Sequence, residues 1–139
     1  MTCYLLDTDT LSLFLQDDPT VVSAVIRHLS DPIALPVIVV KEIWDGWAAV
    51  ISKARTPDQI GAAHDRLSAT LNELRNWPVV SFSSTAVNRY AVLKKQKLNV
   101  GANDLKIAAI ALETGAVIVT RNRKDFARIP GTIIEDWGV

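Results

Sequence analysis

Four acidic residues, spread over the whole chain, are placed where an α/β protein builds a catalytic site. Asp7, Asp104 and Asp125 lie where an apolar run meets a turn or a helix, and Glu42 lies near the start of an apolar helical stretch. The carboxyl ends of parallel strands line the ligand crevice of such folds. Carboxylates that converge there repel one another unless a hard cation such as Mg²⁺ shares them. The pattern therefore predicts a metal-dependent enzyme.

The chemistry of such a site follows from its ligand atoms. Oxygen ligands without His or Cys select Mg²⁺ or Mn²⁺. An ion of this kind lowers the pKa of a bound water and stabilises the leaving oxygen of a phosphodiester. A carboxylate that the metal does not fully engage can take the proton from the attacking water, and Glu42 and Asp125 are the candidates. His28 and His64 have no Cys or His at metal-ligand spacing, which excludes a zinc site.

The first turn after the N-terminal strand carries the sequence Asp7-Thr8-Asp9-Thr10. Asp9 or Thr10 is expected to be the N-cap of a short helix over 11–16. Asp9 also has an alternative role in the outer sphere of the metal. Asp7 has no comparable structural task, and Thr8 can hydrogen-bond beside it. Asp7 is therefore predicted to be functional.

Glu42 lies one position off the apolar stripe of a helix predicted over 40–51. Taken alone, it is typical of a solvent-facing residue. Gly46, four residues later, shares its helical face. A glycine inside a helix costs about 1 kcal/mol relative to alanine, so we expect another element to approach closely there. That expectation favours a functional Glu42.

Asp104 precedes the helical run 105–112. Asn103 is expected to be the N-cap, which puts Asp104 in the first turn, where the helix dipole favours an ionised carboxylate. Such a residue is either a structural first-turn acid or a metal ligand. The other acids favour the ligand.

The turn after the predicted strand 116–120 contains the fourth acid. Thr120 ends the strand, Asn122 offers an oxygen ligand or a hydrogen bond, and Asp125 offers a carboxylate. The alternative for Asp125 is a salt bridge with a neighbouring basic residue, worth about 0–1 kcal/mol if exposed. Arg121 and Arg123 lie in the same turn and could hold a polyanion near the metal.

The elements that must position these residues alternate between strands and helices. The lengths of chain between most strands are those of helices, which predicts a parallel sheet covered on both faces. Apolar spacing places a helical pair in 37–76, a possible arm that packs on the sheet or on a second subunit. The run 105–112 is apolar nearly all round and should be buried on more than one side, a dimer interface being one way to arrange this. The predicted strands are 3–6, 33–35, 79–82, 116–120 and 132–135.

Composition indicates one globular domain over 1–139. The chain is 49% hydrophobic, and no apolar run reaches the roughly 20 residues of a membrane span. The N-terminus does not resemble a secretory signal, and a single cysteine fits a reducing cytoplasm. Net charge is zero, which argues against a general nucleic-acid coat protein. Residues 89–128, however, carry nine Lys or Arg against three acids, which leaves room for a short RNA or another phosphate substrate.

At these residues the chain resembles the PIN-domain superfamily, most closely the VapC-type ribonuclease toxins of toxin–antitoxin pairs. Each matching segment is weakly specific alone, but the ordered set is specific. The resemblance implies a three-layer α/β/α, Rossmann-like fold with a mainly parallel sheet of about five strands. It also implies cleavage of RNA, a homodimer, and inhibition by a small cognate antitoxin that inserts into the site. The matching segments are 4–11, 40–46, 101–109, 119–126 and 129–137.

The family's acidic set falls on Asp7, Glu42 and Asp104, with Asp7 and Asp104 as metal ligands. Many members have an acid two residues after the strand-ending threonine, where this chain has Asn122. Asp125, three residues on, is then the candidate that completes the set, directly or through water. The departure bears on the strength of any second metal site more than on activity.

Two other functions compete with this one. The segment around Asp7 also resembles the first motif of haloacid-dehalogenase-type phosphatases, in which Asp7 would be the nucleophile and Asp9 the general acid. Only nineteen residues follow Thr120, too few for the later motifs of that family. The second alternative is a PIN-like scaffold that binds RNA or protein partners without cutting, given Asn122.

Overall fold

The protein is described by a computed structural model that covers residues 2–139. Within that range the strands are β1 (Tyr4–Leu6), β2 (Ile33–Pro36), β3 (Val79–Val80), β4 (Val117–Val119) and β5 (Ile134–Glu135). The helices there are α1 (Thr8–Leu15), α2 (Pro19–Arg27), α3 (Val37–Lys53), α4 (Pro57–Leu74), α5 (Ser84–Lys95), α6 (Ala102–Thr114) and α7 (Arg123–Phe126). None of these helices is long and apolar enough to cross a membrane.

The strands form one sheet in the order β3-β2-β1-β4-β5, and every pairing is parallel. In the centre, Leu5 lies opposite Ala34 on one side and Ile118 on the other. A parallel sheet is covered on both faces, so its strands are apolar throughout. β1 and β4 are accordingly buried at every position. The predicted α/β fold with a parallel five-stranded sheet is confirmed, and each strand overlaps its predicted run.

The helix α6 is the most deeply buried of the helices. Leu105, Ile107 and Ile110 are at most 5% exposed, and the alanines between them are covered too. Small side chains let α5 and the sheet approach this helix closely, and each buried Leu or Ile contributes about 1.5–3 kcal/mol. The expectation that this helix is buried on more than one side is therefore confirmed, with its own chain as the cover.

Two predicted helix caps are wrong. α1 begins at Thr8, directly after the strand, so its N-cap is Asp7 and not Asp9 or Thr10. α6 begins at Ala102, so its N-cap is Gly101, which has no side chain to donate or accept, and not Asn103. Helix boundaries depend on where the preceding strand releases the chain, which local residue preference does not report. The placement of Asp104 in the first turn is confirmed.

The pair α3 and α4 packs together across a three-residue turn. α4 starts with a capping box, in which Thr56 accepts from the Gln59 backbone and the Gln59 side chain accepts in return. Pro57 occupies the first turn, as predicted. The predicted close approach at Gly46 is wrong: a Cβ added there would meet no heavy atom within 4 Å, because this face of α3 borders an open groove.

Candidate active site

The four predicted acids lie beyond the carboxyl ends of the central strands. Asp7 follows β1, and its backbone N–H donates to the Val119 carbonyl at the end of β4. Glu42 comes from α3, which starts where β2 ends, and Asp104 comes from the first turn of α6. Asp125 lies in α7, just after β4. The topology thus brings to one edge residues that are up to 118 positions apart in the chain.

Asp7 is buried, with 5% of its surface exposed, and both of its carboxylate oxygens accept hydrogen bonds. Oδ1 accepts from the backbone N–H of Thr10 at 2.9 Å, and Oδ2 accepts from the Thr120 hydroxyl at 2.6 Å. Burial raises the pKa of Asp7 above its ordinary value, and the hydrogen bonds from Thr120 and Thr10 oppose that rise. Asp7 is therefore the N-cap of α1, a structural role that the sequence had not predicted. The two hydrogen bonds also hold its carboxylate in one orientation at the site.

Glu42 faces the site and is half-buried. Its Oε1 accepts a hydrogen bond of 2.8 Å from the hydroxyl of Thr8, on the first turn of α1. The second oxygen, Oε2, makes no hydrogen bond within residues 2–139. Thr8 is thus beside an acid as predicted, but its partner is Glu42 rather than Asp7. Asp9 is exposed on the same turn, and it bears on Asp7 only through its charge.

Asp104 shows most clearly that the acids converge. Its pKa is raised from 3.8 to about 6, first by burial and then by the negative charge of Asp7. The hydrogen bond from Asn122 opposes the rise, while the charges of Asp125 and Glu42 add to it. The pKa of Asp104 is therefore raised by the charges of all three other acids.

The turn after β4 holds the fourth acid through an amide. The Asn122 side-chain amide donates to Asp104 Oδ2 at 3.2 Å and to Asp125 Oδ2 at 2.9 Å, so it lies between two carboxylates. The other oxygen of Asp125 is 3.4 Å from Nη1 of Arg128, which also donates to the Asn99 carbonyl at 2.9 Å. The salt bridge considered for Asp125 therefore exists, together with the contact that joins it to the site. Arg128 was not among the predicted site residues, and its i, i+3 spacing from Asp125 was the available signal.

The remaining predicted residues differ in their distance from the acids. Thr120 is fully buried and accepts from the Asn122 backbone N–H at 2.9 Å while donating to Asp7. Arg123 is exposed, and its Nε is 3.7 Å from the carboxylate of Asp136. Arg121 and Asn103 are also exposed.

The donor chemistry fits a hard divalent cation. Asp7, Glu42 and Asp104 supply carboxylate oxygens, and no His or Cys contacts them within residues 2–139. Burial is the first cause of the raised pKa of Asp104, and the repulsion from neighbouring acids that adds to it is the part that a shared cation relieves. In the same described range, no group of three His, Cys, Asp or Glu side chains is close enough to hold an ion as arranged. The acids therefore suit a divalent cation by their oxygen ligands and by their meeting at one edge of the sheet. They do not form a preformed coordination shell within residues 2–139.

A groove adjoins the acids and continues away from them between α1, α3 and α4. Its volume is about 790 Å³, within the range of small-ligand pockets. It begins at Thr8 and Glu42, so the acid cluster forms one of its ends. The rest of its lining consists of Ser12, Leu15, Gln16, Ile43, Gly46, Trp47, Val50, Arg66, Ala69 and Thr70.

Comparison with known proteins agrees with this geometry. The PIN domain family model matches residues 4–132. Ribonuclease VapC2 of Rickettsia felis is 34% identical over 112 residues, which are 78% of this chain and 76% of the relative. The crystal structure of VapBC2 from Rickettsia felis bound to a DNA fragment from their promoter superposes with a TM-score of 0.77 at 26% identity, over 98% of this chain and 99% of that one.

A further solved structure, DNA-bound VapBC from Salmonella typhimurium, has a TM-score of 0.80 at 24% identity and covers 99% of both chains. That likeness concerns the fold alone. The family match spans nearly the whole chain, and it includes the segments that carry Asp7, Glu42 and Asp104. This chain therefore belongs to the PIN-domain family, among the VapC-type ribonuclease toxins that its motifs resemble.

Proposed function

We propose that this protein is a divalent-metal-dependent endoribonuclease, the toxin of a toxin–antitoxin pair, and that Asp7, Glu42 and Asp104 carry its chemistry. The observation that supports the proposal most directly is the convergence of acids from separate elements on one carboxyl, that of Asp104. The name of its Rickettsia felis relative, a ribonuclease, supplies the substrate class.

Asp7 and Asp104 are the proposed metal ligands. When bound, Mg²⁺ or Mn²⁺ would supply a water of lowered pKa and offset the charge on the scissile phosphate. The Thr120 hydroxyl and the Thr10 backbone N–H hold Asp7 still, so its orientation needs no adjustment on binding.

Glu42 is the proposed general base. Thr8 holds one of its oxygens, and the free oxygen can accept the proton of the attacking water. Asp125 has both oxygens engaged, by Asn122 and Arg128. Its proposed role is therefore to position the Asn122 side-chain amide against Asp104. Asn122 itself brings an uncharged hydrogen-bond donor to the site.

The partners are also proposals. The structural relative at 26% identity is a VapBC complex bound to DNA, which supports a cognate antitoxin for this chain. We also propose a homodimer, which the family resemblance implies, and a cytoplasmic location, which a single cysteine fits. Light scattering of the purified protein decides the oligomer: a mass near 30 kDa, twice the 15.2 kDa of the chain, supports the dimer, and a mass of one chain contradicts it.

The decisive experiment is cleavage of a labelled RNA with Mg²⁺ or Mn²⁺, with and without EDTA. Asp104→Asn and Glu42→Gln should each lower the rate by at least about 100-fold, since each removes a group that acts in the reaction. Asp45→Asn is the matched control, because Asp45 lies on the same helix as Glu42 but pairs with Lys41 at the surface. Its activity should equal that of the wild type.

Cleavage that persists in Asp104→Asn at the wild-type rate would mean a contaminant or a wrong site. An intact RNA in every sample, together with no Mn²⁺ binding by calorimetry, would favour the non-catalytic scaffold. Metal binding without cleavage would support the proposed metal site and contradict the proposed ribonuclease activity.

A further inference from the structure

We propose that Asp136 is a positioning residue of the active site, which helps the segment 136–138 to hold the turn 120–123. That turn follows β4 and carries the side-chain amide of Asn122 to the acids. The inference deepens the proposed ribonuclease function, and its effect on cleavage rests on that function. Its supports are the hydrogen bonds between the turn and the acids, the contacts between the turn and the segment, and the anchoring of the segment in the core.

The turn after β4 reaches the acids through Thr120 and Asn122. The hydroxyl of Thr120 donates to Asp7 at 2.6 Å and accepts from the backbone N–H of Asn122 at 2.9 Å. The side chain of Asn122 donates to both Asp104 and Asp125. At 3.2 Å, the bond to Asp104 is at the long end of the N–H···O range. A small displacement of the turn therefore breaks it.

The turn is joined to the segment after β5 on both sides of Asn122. On one side, the side chain of Arg121 lies against Gly138, where an added Cβ would be 3.1 Å from Cδ of Arg121. On the other side, Nε of Arg123 is 3.7 Å from the carboxylate of Asp136. The two arginines that flank Asn122 therefore both contact the same short segment.

The segment can hold the turn because it is itself fixed in the core. Trp137 is 5% exposed, and its ring stacks on His28 with the centroids 4.3 Å apart. It also packs against Tyr4 of β1, with the centroids 5.1 Å apart. A buried tryptophan contributes a large contact area, so it binds the segment firmly to the sheet. Asp136 and Gly138, the neighbours of this anchor in the chain, make the contacts with the turn.

Asp136 connects the anchor to the turn. Only 8% of its side chain is exposed, and a carboxylate is rarely so buried without partners. Its Oδ1 accepts from the backbone N–H of Gly138 at 2.8 Å, and its Oδ2 is the atom near Arg123. The guanidinium of Arg123 is largely exposed, so the ion pair contributes little to stability. The expected effect of losing it is a displaced turn, more than a less stable fold.

The first test is the side-chain amide signal of Asn122 in proton–nitrogen correlation spectra of the metal-free protein, identified by its loss in Asn122→Ala. Asp136→Ala should move this signal by more than a linewidth, because hydrogen bonds to two carboxylates set its position. A lower stability alone does not move the signal of the folded protein. Glu135→Gln is the matched control: it removes the same charge one residue earlier, where the side chain bonds to Trp137 and not to the turn. Its Asn122 signal should stay in place.

Asp136→Asn provides a second, milder variant, which keeps the test valid if Asp136→Ala does not fold. An asparagine keeps an acceptor for the Gly138 N–H and removes only the charge near Arg123. It should move the Asn122 signal in the same direction and by less.

The second test is RNA cleavage with Mn²⁺, in which kcat and KM are measured separately. Asn122→Ala should lower kcat about tenfold, the low end for a hydrogen bond to a charged group. Asp136→Ala should lower kcat about fivefold and leave KM for RNA unchanged, since it acts through the geometry of the acids. The double variant should be no slower than Asn122→Ala, because both changes remove the same contact. Glu135→Gln should cleave at the wild-type rate.

An Asn122 signal that stays in place in both Asp136→Ala and Asp136→Asn overturns the inference. So does a double variant about 50-fold slower than the wild type, because independent effects multiply. If no sample cleaves RNA but the signal moves as expected, the proposed function fails and the positioning by Asp136 stands. If Asp104→Asn abolishes cleavage but the signal does not move, the proposed function stands and this inference fails.

Discussion

Replacing Asp104 by asparagine should stabilise the metal-free protein at pH 8 by about 1 kcal/mol, while it removes activity. The pKa of Asp104 in the folded chain is about 6, against an ordinary value of 3.8. At about 1.36 kcal/mol for each pKa unit, ionisation of this carboxyl costs the folded state about 3 kcal/mol at full strength. The side chain is only half-buried, so solvent screening reduces that figure to about 1.5 kcal/mol.

The variant also loses a favourable contribution. An ionised carboxylate in the first turn of α6 gains about 0.3–1 kcal/mol from the helix dipole, which asparagine gives up. The Asn122 amide keeps an acceptor, because an asparagine at position 104 still has a carbonyl oxygen. The net effect is the stated stabilisation of about 1 kcal/mol.

The sign depends on pH. A raised pKa means that the folded state binds the proton more tightly than the unfolded state, so the contribution to stability is present below pH 3.8 and is lost as the pH rises to about 6. The gain from Asp104→Asn should therefore appear at pH 8 and vanish at pH 4. Urea denaturation in EDTA at the two pH values measures both. A variant less stable than the wild type at pH 8, or a difference that does not change with pH, would refute the reasoning.

Three further predictions follow from the same network. Mn²⁺ at ten times its Kd should stabilise the wild type by about 1.4 kcal/mol and should hardly stabilise Asp7→Asn. Thermal melting measures both effects, and an equal gain in the two proteins would contradict the prediction. Thr120→Val should destabilise the protein by about 2–3 kcal/mol in urea, because it leaves Oδ2 of Asp7 without a donor and the Asn122 N–H without an acceptor. Thr120→Ser keeps both bonds and loses only a methyl group, so it should cost about 1 kcal/mol, and equal losses would argue against the network. Gly115→Ala should cost about 1 kcal/mol in the same assay, since φ is 69° at the end of α6, and no loss would contradict the strain.

The sequence determined much of the frame on its own. β1, β4 and α6 are apolar at every buried position, so their place in the core follows from composition and spacing alone. Chain order and length between strands then restrict the sheet to a parallel one. With the carboxyl ends of parallel strands at one edge, the meeting of Asp7 with Asp104 could be expected before any coordinates.

Local boundaries were less accessible. The caps of α1 and α6 were misplaced because residue preference at an N-cap is worth about 1 kcal/mol, whereas the exit of the chain from a strand sets where a helix can start. Asp7 is the N-cap because it is the one residue between the end of β1 and the start of α1. Whether Thr8 reaches Asp7 or Glu42 also depended on where α3 lies, which no local pattern reports.

Only the tertiary structure decided how the remaining groups are used. Asn122 and Arg128 divide the two oxygens of Asp125 between them, and the open face of Gly46 borders the groove between α1, α3 and α4. The free energy of burying an apolar side chain depends mainly on that residue and is roughly additive. The pattern of buried positions can therefore be predicted from the sequence. Hydrogen bonds and empty space depend on positions within a few tenths of an ångström, and those positions exist only once several elements have packed together.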